Sequence, residues 1–249
     1  MLATLLIILS LLLTACGGHK QANVSVPPPP SISESEPQAN SETSEAAAET
    51  VEPATKKEAG KSSGHGKPLL VETGLSSWYG GPYHKRHASN GEVYNMHAMT
   101  AAHRTLPLNS VVRVTNVKTG RSAVVRITDR GPFVQGRILD LSEAAAKKTD
   151  VWGAGVAMVR LEVLSTPVPL TSGGRWAVQI GAFEKEHTAD KLADHLSRKY
   201  ETARVLCFSS PVGDWWVRVR VQDDDRKRAE TVARETHTSE GEIFLVRLD

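Results

Sequence analysis

The chain has 249 residues, 40% of them hydrophobic, with 30 basic side chains against 28 acidic ones and a formal net charge of +2. These values are ordinary for a soluble protein, exclude an extreme of either charge sign, and leave room for one or two modest domains. The averages conceal strong local bias, so the chain is read in pieces.

Leu5 to Leu13 is an apolar run broken only by Ser10. Crossing a bilayer of about 30 Å as a helix takes roughly 20 apolar residues. The run is too short for that and fits the apolar core of a secretory signal. Leu13-Thr14-Ala15-Cys16 then follows and resembles the lipobox of bacterial lipoproteins. That resemblance implies removal of residues 1–15 as a signal peptide and acylation of Cys16, whose acyl chains would hold the protein to a membrane. Gly17 stands after the cysteine where an Asp would resemble an inner-membrane retention signal. The expected address is therefore the cell envelope, at the inner leaflet of the outer membrane facing the periplasm. No Lys or Arg precedes Cys16, which departs from an ordinary signal and suggests a start further upstream.

Residues 16–70 carry almost no large apolar side chains but include four consecutive prolines, Pro27 to Pro30, and a Ser/Glu/Ala-rich stretch. Such a segment cannot bury enough apolar surface to offset the entropy of ordering, and is expected to be a disordered tether. Its root-mean-square span would be about 40 Å. The remaining cysteine, Cys207, has no partner once Cys16 is acylated, and its apolar surroundings suggest a buried, inert thiol.

Residues 71–165 are dominated by short β-rich runs, such as Val111 to Thr115 and Ala123 to Ile127, with Lys118-Thr119-Gly120 as a hairpin turn between them. Ser142 is a suitable N-cap for one short helix beginning at Glu143. Many short strands, glycine turns and one helix predict a small β-barrel. A linker at 166–174, with Pro167 and Pro169, leads to residues 175–249. There Trp176, Val178 and Ile180 alternate as in a strand, and Ala189, Leu192, Ala193, Leu196 and Tyr200 recur at helical spacing. Ala203 to Phe208 and Trp215 to Val221 read as strands, Arg226 to His237 as a helix and Gly241 to Leu248 as a closing strand. The order βαββαβ predicts a four-stranded antiparallel sheet, ferredoxin-like, with two helices on one side and the other side open to a ligand. By alternation that open side would present Gln179, Trp216, Arg218 and Arg220.

Polar residues of the barrel segment gather at Ala88 to Glu92, Thr100 to Pro107 and Thr128 to Phe133. On residue type, Glu92, His103 and Asp129 form a candidate acid/base set, since two carboxylates and an imidazole can be tuned apart. The competing reading makes Asp129 and Arg130 a structural turn and His103 a satisfied core histidine. His84, His87 and His97 lie close in sequence, but no cysteine or HExxH helix accompanies them, so no metal is expected. No other cofactor is expected.

Ser77-Trp78-Tyr79-Gly80, Ser89-Asn90-Gly91-Glu92, Thr100-Ala101-Ala102-His103, Asp129-Arg130-Gly131-Pro132-Phe133 and Asp140-Leu141-Ser142 resemble, in order, the rare lipoprotein A family. The resemblance implies a six-stranded double-psi β-barrel. It also implies, in active members, a lytic transglycosylase that cuts the MurNAc-GlcNAc bond of peptidoglycan without water and leaves a 1,6-anhydro end. The family's functional Glu, His and Asp fall on Glu92, His103 and Asp129. Asp129 would be the proton donor, which requires Arg130 to point away from it. Trp176 to Phe183 and Val217 to Val221 resemble a SPOR domain, which implies binding of glycan strands stripped of stem peptides and so a septal address. The expected partners are peptidoglycan, preferentially peptide-free, and a membrane through the lipid anchor. Nucleic acid is not expected, because export separates the protein from it and the sheet lacks paired aromatics. The alternative is a non-catalytic peptidoglycan-binding envelope lipoprotein.

Overall fold

The computed structural model of the protein describes residues 67–249. The apolar leader, Cys16 and nearly all of the expected tether lie outside the described residues.

Six strands close the first domain: β1 (Leu70–Tyr79), β2 (Thr100–Ala102), β3 (Val111–Asn116), β4 (Ser122–Asp129), β5 (Arg137–Ser142) and β6 (Ala157–Ser165). Their order around the barrel is β1-β5-β2-β4-β3-β6. The pairs β1/β5 and β2/β4 run parallel and the others antiparallel. This is the double-psi β-barrel expected from the motifs. Period-two alternation fills its centre: Val112 and Val114, Val125 and Ile127, Leu139 and Leu141, and Val159, Leu161 and Val163 are all buried. The β3–β4 hairpin is organised by a buried side chain. Asn116 Oδ1 accepts from the N–H groups of Lys118 and Thr119, and its Nδ2 donates to the Thr149 carbonyl. The α1 helix (Glu143–Lys148) starts where the N-cap predicts, with Ser142 Oγ accepting from Ala145 N at 3.2 Å.

The second domain has the anticipated order: β7 (Trp176–Phe183), α2 (Glu186–Lys199), β8 (Arg204–Ser209), β9 (Trp215–Arg220), α3 (Arg226–Glu235) and β10 (Glu242–Arg247). The antiparallel sheet runs β10-β7-β9-β8. Trp176, Val178, Ile180, Val217 and Val219 pack against Ala189 and Leu196 of α2 and Ala229 and Val232 of α3. Cys207 lies at the edge of this core, only partly covered, and burial with Asp190 beside it pushes its thiol up to about 11. It therefore stays protonated and unreactive at neutral pH.

The second face of this sheet is not open in the way alternation suggests. Its residues include Trp216, Phe244 and Val246, which form a small apolar cluster with Phe133 from the barrel. The Phe133 ring lies 5.3 Å from Trp216 and 5.6 Å from Phe244. The physical reason is in the sequence: Phe244 and Val246 put apolar area on the face that the polar pattern of β9 marks as exposed. The Arg130 guanidinium, 8% exposed, crosses the same junction, donating to the carbonyls of His103, Leu106 and Asp249.

Backbone crowding enforces one glycine in this sheet. Gly181 has φ +151°, and a Cβ there would lie 2.6 Å from the Trp216 ring and 2.9 Å from the Trp215 carbonyl oxygen. Gly181→Ala is expected to cost about 2–4 kcal/mol, from overpacking plus strained backbone. Denaturant melts of the two proteins would measure it, and an unchanged midpoint would mean that the Trp216 ring is free to move.

Candidate active site

A cleft of about 600 Å³ opens between the barrel rim and the second domain's sheet. The barrel side is built on β2, the short central strand. Ala102 of β2 pairs with Asp129 of β4 on one side and with Asp140 of β5 on the other. A bulge makes this row possible. Ala101 faces Ile127, but Ala102 faces Asp129, so Thr128 is the extra residue that brings Asp129 level with Asp140. Two strand spacings put the two aspartate backbones about 10 Å apart. Both side chains line the cleft, together with Tyr79, Tyr83, Tyr94 and Phe133.

The two carboxylates stand in different surroundings. Asp129 Oδ1 accepts from Ser89 Oγ at 2.5 Å, Ser89 N at 3.0 Å and Arg130 N at 2.8 Å. Its Oδ2 has no hydrogen-bond partner among the described residues. Arg130 directs its guanidinium away from this carboxylate, into the main-chain oxygens named above. Asp140 is largely buried on β5, between the core residues Leu139 and Leu141. Its Oδ1 accepts from Ser77 Oγ at 2.5 Å, and Arg137 lies 3.5 Å from Oδ2. Burial outweighs both of these partners and raises its pKa. Its surroundings thus favour the protonated form of Asp140 more than water would. Burial, reinforced by the charge of Asp129, likewise holds the Tyr79 hydroxyl well above its usual value. Tyr79 stacks on Tyr94 at 4.4 Å, and Tyr94 Oη donates to the Tyr79 carbonyl.

Glu92 and His103 do not reach the cleft lining. Glu92 is exposed and makes a bidentate pair with Arg126, at 2.8 and 2.7 Å, which lowers its pKa. Its backbone N–H bonds Asn90 Oδ1, and Ala88 N–H bonds its carbonyl. Asn90 Nδ2 and Arg126 share Asn109 Oδ1. Glu92 thus braces the turn that delivers Ser89 to Asp129. His103 is 4% exposed, and its Nδ1 accepts from the N–H groups of Thr105 and Leu106. A ring nitrogen accepting two N–H groups carries no proton, so Nε2 is the donor, facing Glu72 at 3.3 Å. Burial lowers the histidine's pKa in spite of Glu72. This geometry matches the satisfied core histidine that residue type had left open.

Asp140, on the cleft lining, and Arg104, which braces the loop beside it, are side chains that residue type alone passes over. Arg104 Nη1 donates to the carbonyls of Pro132 and Arg137, holding both ends of the loop that carries Phe133. The signal for Asp140 was a lone carboxylate inside an apolar strand run, Ile138 to Leu141. Of the expected sheet quartet, Gln179 and Trp216 are buried, and Arg220 is paired with Asp224 at 3.0 and 2.7 Å. Gln179, Trp216 and Arg218 nevertheless line the cleft from the side facing Asp129. His84 and His97 meet edge to face at 5.8 Å, and the His87 ring contacts the Gly91 carbonyl.

Residues 71–161 match the family model described as lytic transglycolase, and residues 172–241 match the SPOR domain. Several similar proteins bear the name endolytic peptidoglycan transglycosylase RlpA. The one from Vibrio cholerae is 56% identical over 100 residues, 40% of this chain and 38% of that protein. The one from Campylobacter jejuni is 39% identical over 163 residues, 56% of this chain and 57% of that protein. The one from Helicobacter pylori strain J99 is 43% identical over 151 residues, covering 49% and 48%. The chain spans about half the length of the curated relatives it matches.

Proposed function

We propose that the chain is a member of the rare lipoprotein A family and an endolytic lytic transglycosylase of peptidoglycan, a reading supported by the two family-model matches, the similar proteins named above and the cleft. The observation that carries the reading is the pair Asp129 and Asp140, set in one row across β2, with the protonated form of Asp140 favoured by burial.

Asp140 takes the acid part expected of Asp129. Its carboxyl proton passes to the glycosidic oxygen as the bond from that oxygen to MurNAc C1 breaks. Positive charge develops at C1, and Asp129, with Oδ2 free toward the cleft, stabilises it. The 6-hydroxyl of the same sugar then attacks C1, and its proton returns to Asp140. One bond breaks, one forms, and the 1,6-anhydro ring closes with no water consumed. A second carboxylate is therefore not needed as nucleophile or as water-activating base. Tyr79, Tyr83 and Phe133 offer apolar faces to sugar rings. Glu92, through Arg126 and Asn90, and His103, through the backbone of residues 105 and 106, hold the loops that aim these groups.

The envelope address, the lipid on Cys16, the preference for peptide-free strands and septal targeting by the second domain are parts of the same proposal. They rest on the lipobox motif and the SPOR resemblance. The test is a digest of purified peptidoglycan, with and without stem peptides, by the wild type and Asp129→Asn. Anhydro-ended fragments, formed at least about 100-fold more slowly by the variant, are the expected result. Strands left intact by the wild type yet pulled down with it would make the protein a non-catalytic binder.

A further inference from the structure

Arg218 is set into the wall of the cleft contributed by the second domain, and its charge is not neutralised. Its Nε and Nη2 both donate to one neutral acceptor, Gln179 Oε1, at 3.1 and 2.5 Å. The guanidinium sits 5.1 Å over the Phe208 ring. A guanidinium carries five N–H donors, and only these two nitrogens of Arg218 have partners among the described residues. It makes no ion pair there either. The contrast with its neighbours is sharp: Arg220 is held by Asp224, Arg126 by Glu92, and Arg130 by three carbonyls. Burial and the charge of Arg220 oppose the cationic form of Arg218, while Asp129, across the cleft, favours it. Such a group is completed by an anionic ligand, preferably one with two coplanar oxygens.

A glycan strand offers that chemistry in one place. Each MurNAc carries a lactyl group that ends in a free carboxylate when the stem peptide is absent and in an amide when it is present. We propose that Arg218 contacts the strand in the same cleft as Asp129 and Asp140, binding a lactyl carboxylate, so that recognition and cleavage share one groove. The second domain is then a wall of the active site as well as an address. The inference rests on the function proposed above, because it takes the strand to be the cleft's occupant.

Calorimetric titration of the full chain tests it. The host is Asp140→Asn, which binds without turnover, alone and combined with Arg218→Gln or Arg218→Lys. The ligands are a peptide-free GlcNAc-MurNAc tetrasaccharide and the same compound with its lactyl carboxylates converted to primary amides. We expect one site per chain. Arg218→Gln should weaken the free-acid ligand at least about tenfold, Arg218→Lys should recover part of that loss, and the amidated ligand should bind both forms alike. Equal weakening of the two ligands, no weakening, or two independent sites would overturn the inference. Cleavage by the wild type separates it from the parent reading. Binding with this Arg218 signature but no anhydro product would end the enzyme assignment and leave the Arg218 contact standing. Normal turnover with unchanged kcat/KM in Arg218→Gln would do the reverse.

Discussion

Asp140→Asn should abolish strand cleavage, by about 10³-fold or more, and leave the protein at least as stable as the wild type. The combination is unusual, and the surroundings of Asp140 explain it. Its raised pKa means that the folded protein disfavours the carboxylate. For such a group the stability contribution is complete below the ordinary value near 3.8 and is lost as the pH rises through the raised folded value. Asn keeps the shape and can accept the Ser77 hydroxyl, but has no charge to desolvate. At neutral pH the variant's melting temperature should equal or exceed that of the wild type. The same shift sets the alkaline limb of the rate: turnover falls as Asp140 gives up the proton it must donate. A melting temperature well below wild type would mean that the pair with Arg137 holds the strand together. Full activity would remove Asp140 from the mechanism.

His103→Ala should cost about 2–5 kcal/mol, because it orphans the part-buried N–H of Thr105 and the buried N–H of Leu106. For a chain of this size that lowers the melting temperature by roughly 5–15 °C. His103→Asn, whose Oδ1 can accept in place of Nδ1, should recover part of the loss. Activity should follow the folded fraction, so that at low temperature the Asn variant cleaves nearly as well as the wild type. Persistent inactivity in a fully folded Asn variant would return His103 to the chemistry. The pH dependence has the opposite sense to that of Asp140. The folded pKa of His103 is lowered, so its stability contribution is complete above its ordinary value near 6.5 and is lost as the pH falls below it. Thermal melts between pH 7 and 5 should show this loss, and it should be smaller in the Asn variant.

Much of the architecture was legible in the sequence because it depends on short-range patterns. Alternation on β3 and β4, the Gly120 turn, the Ser142 cap and the helical spacing around Leu196 each specify an element locally. The motif order then supplied the barrel, which alternation alone leaves unresolved between several closed sheets. The site was legible only in part. Asp129 lines the cleft, but residue type cannot tell a carboxylate that reaches substrate from one that braces a turn, as Glu92 does through Arg126. That distinction depends on a long-range partner 34 positions away. Asp140 escaped for a related reason: its pKa follows from burial beneath strands that meet only after the barrel closes. The covered sheet face was hidden because Phe133, which packs on it, belongs to the other domain.

The bulge at Thr128 also bears on how the molecule guards against misassembly. A strand has two faces, and sliding its register by one residue exchanges them. Both acidic groups are aligned through a single alanine on a strand of three residues, so a slip of β2 would misplace the two together rather than one alone. On the proposed function, that slip would cost the proton donor and the charge-stabilising carboxylate at once. In a protein proposed to cut the wall its own cell depends on, such a slip would remove cutting outright rather than leave it impaired.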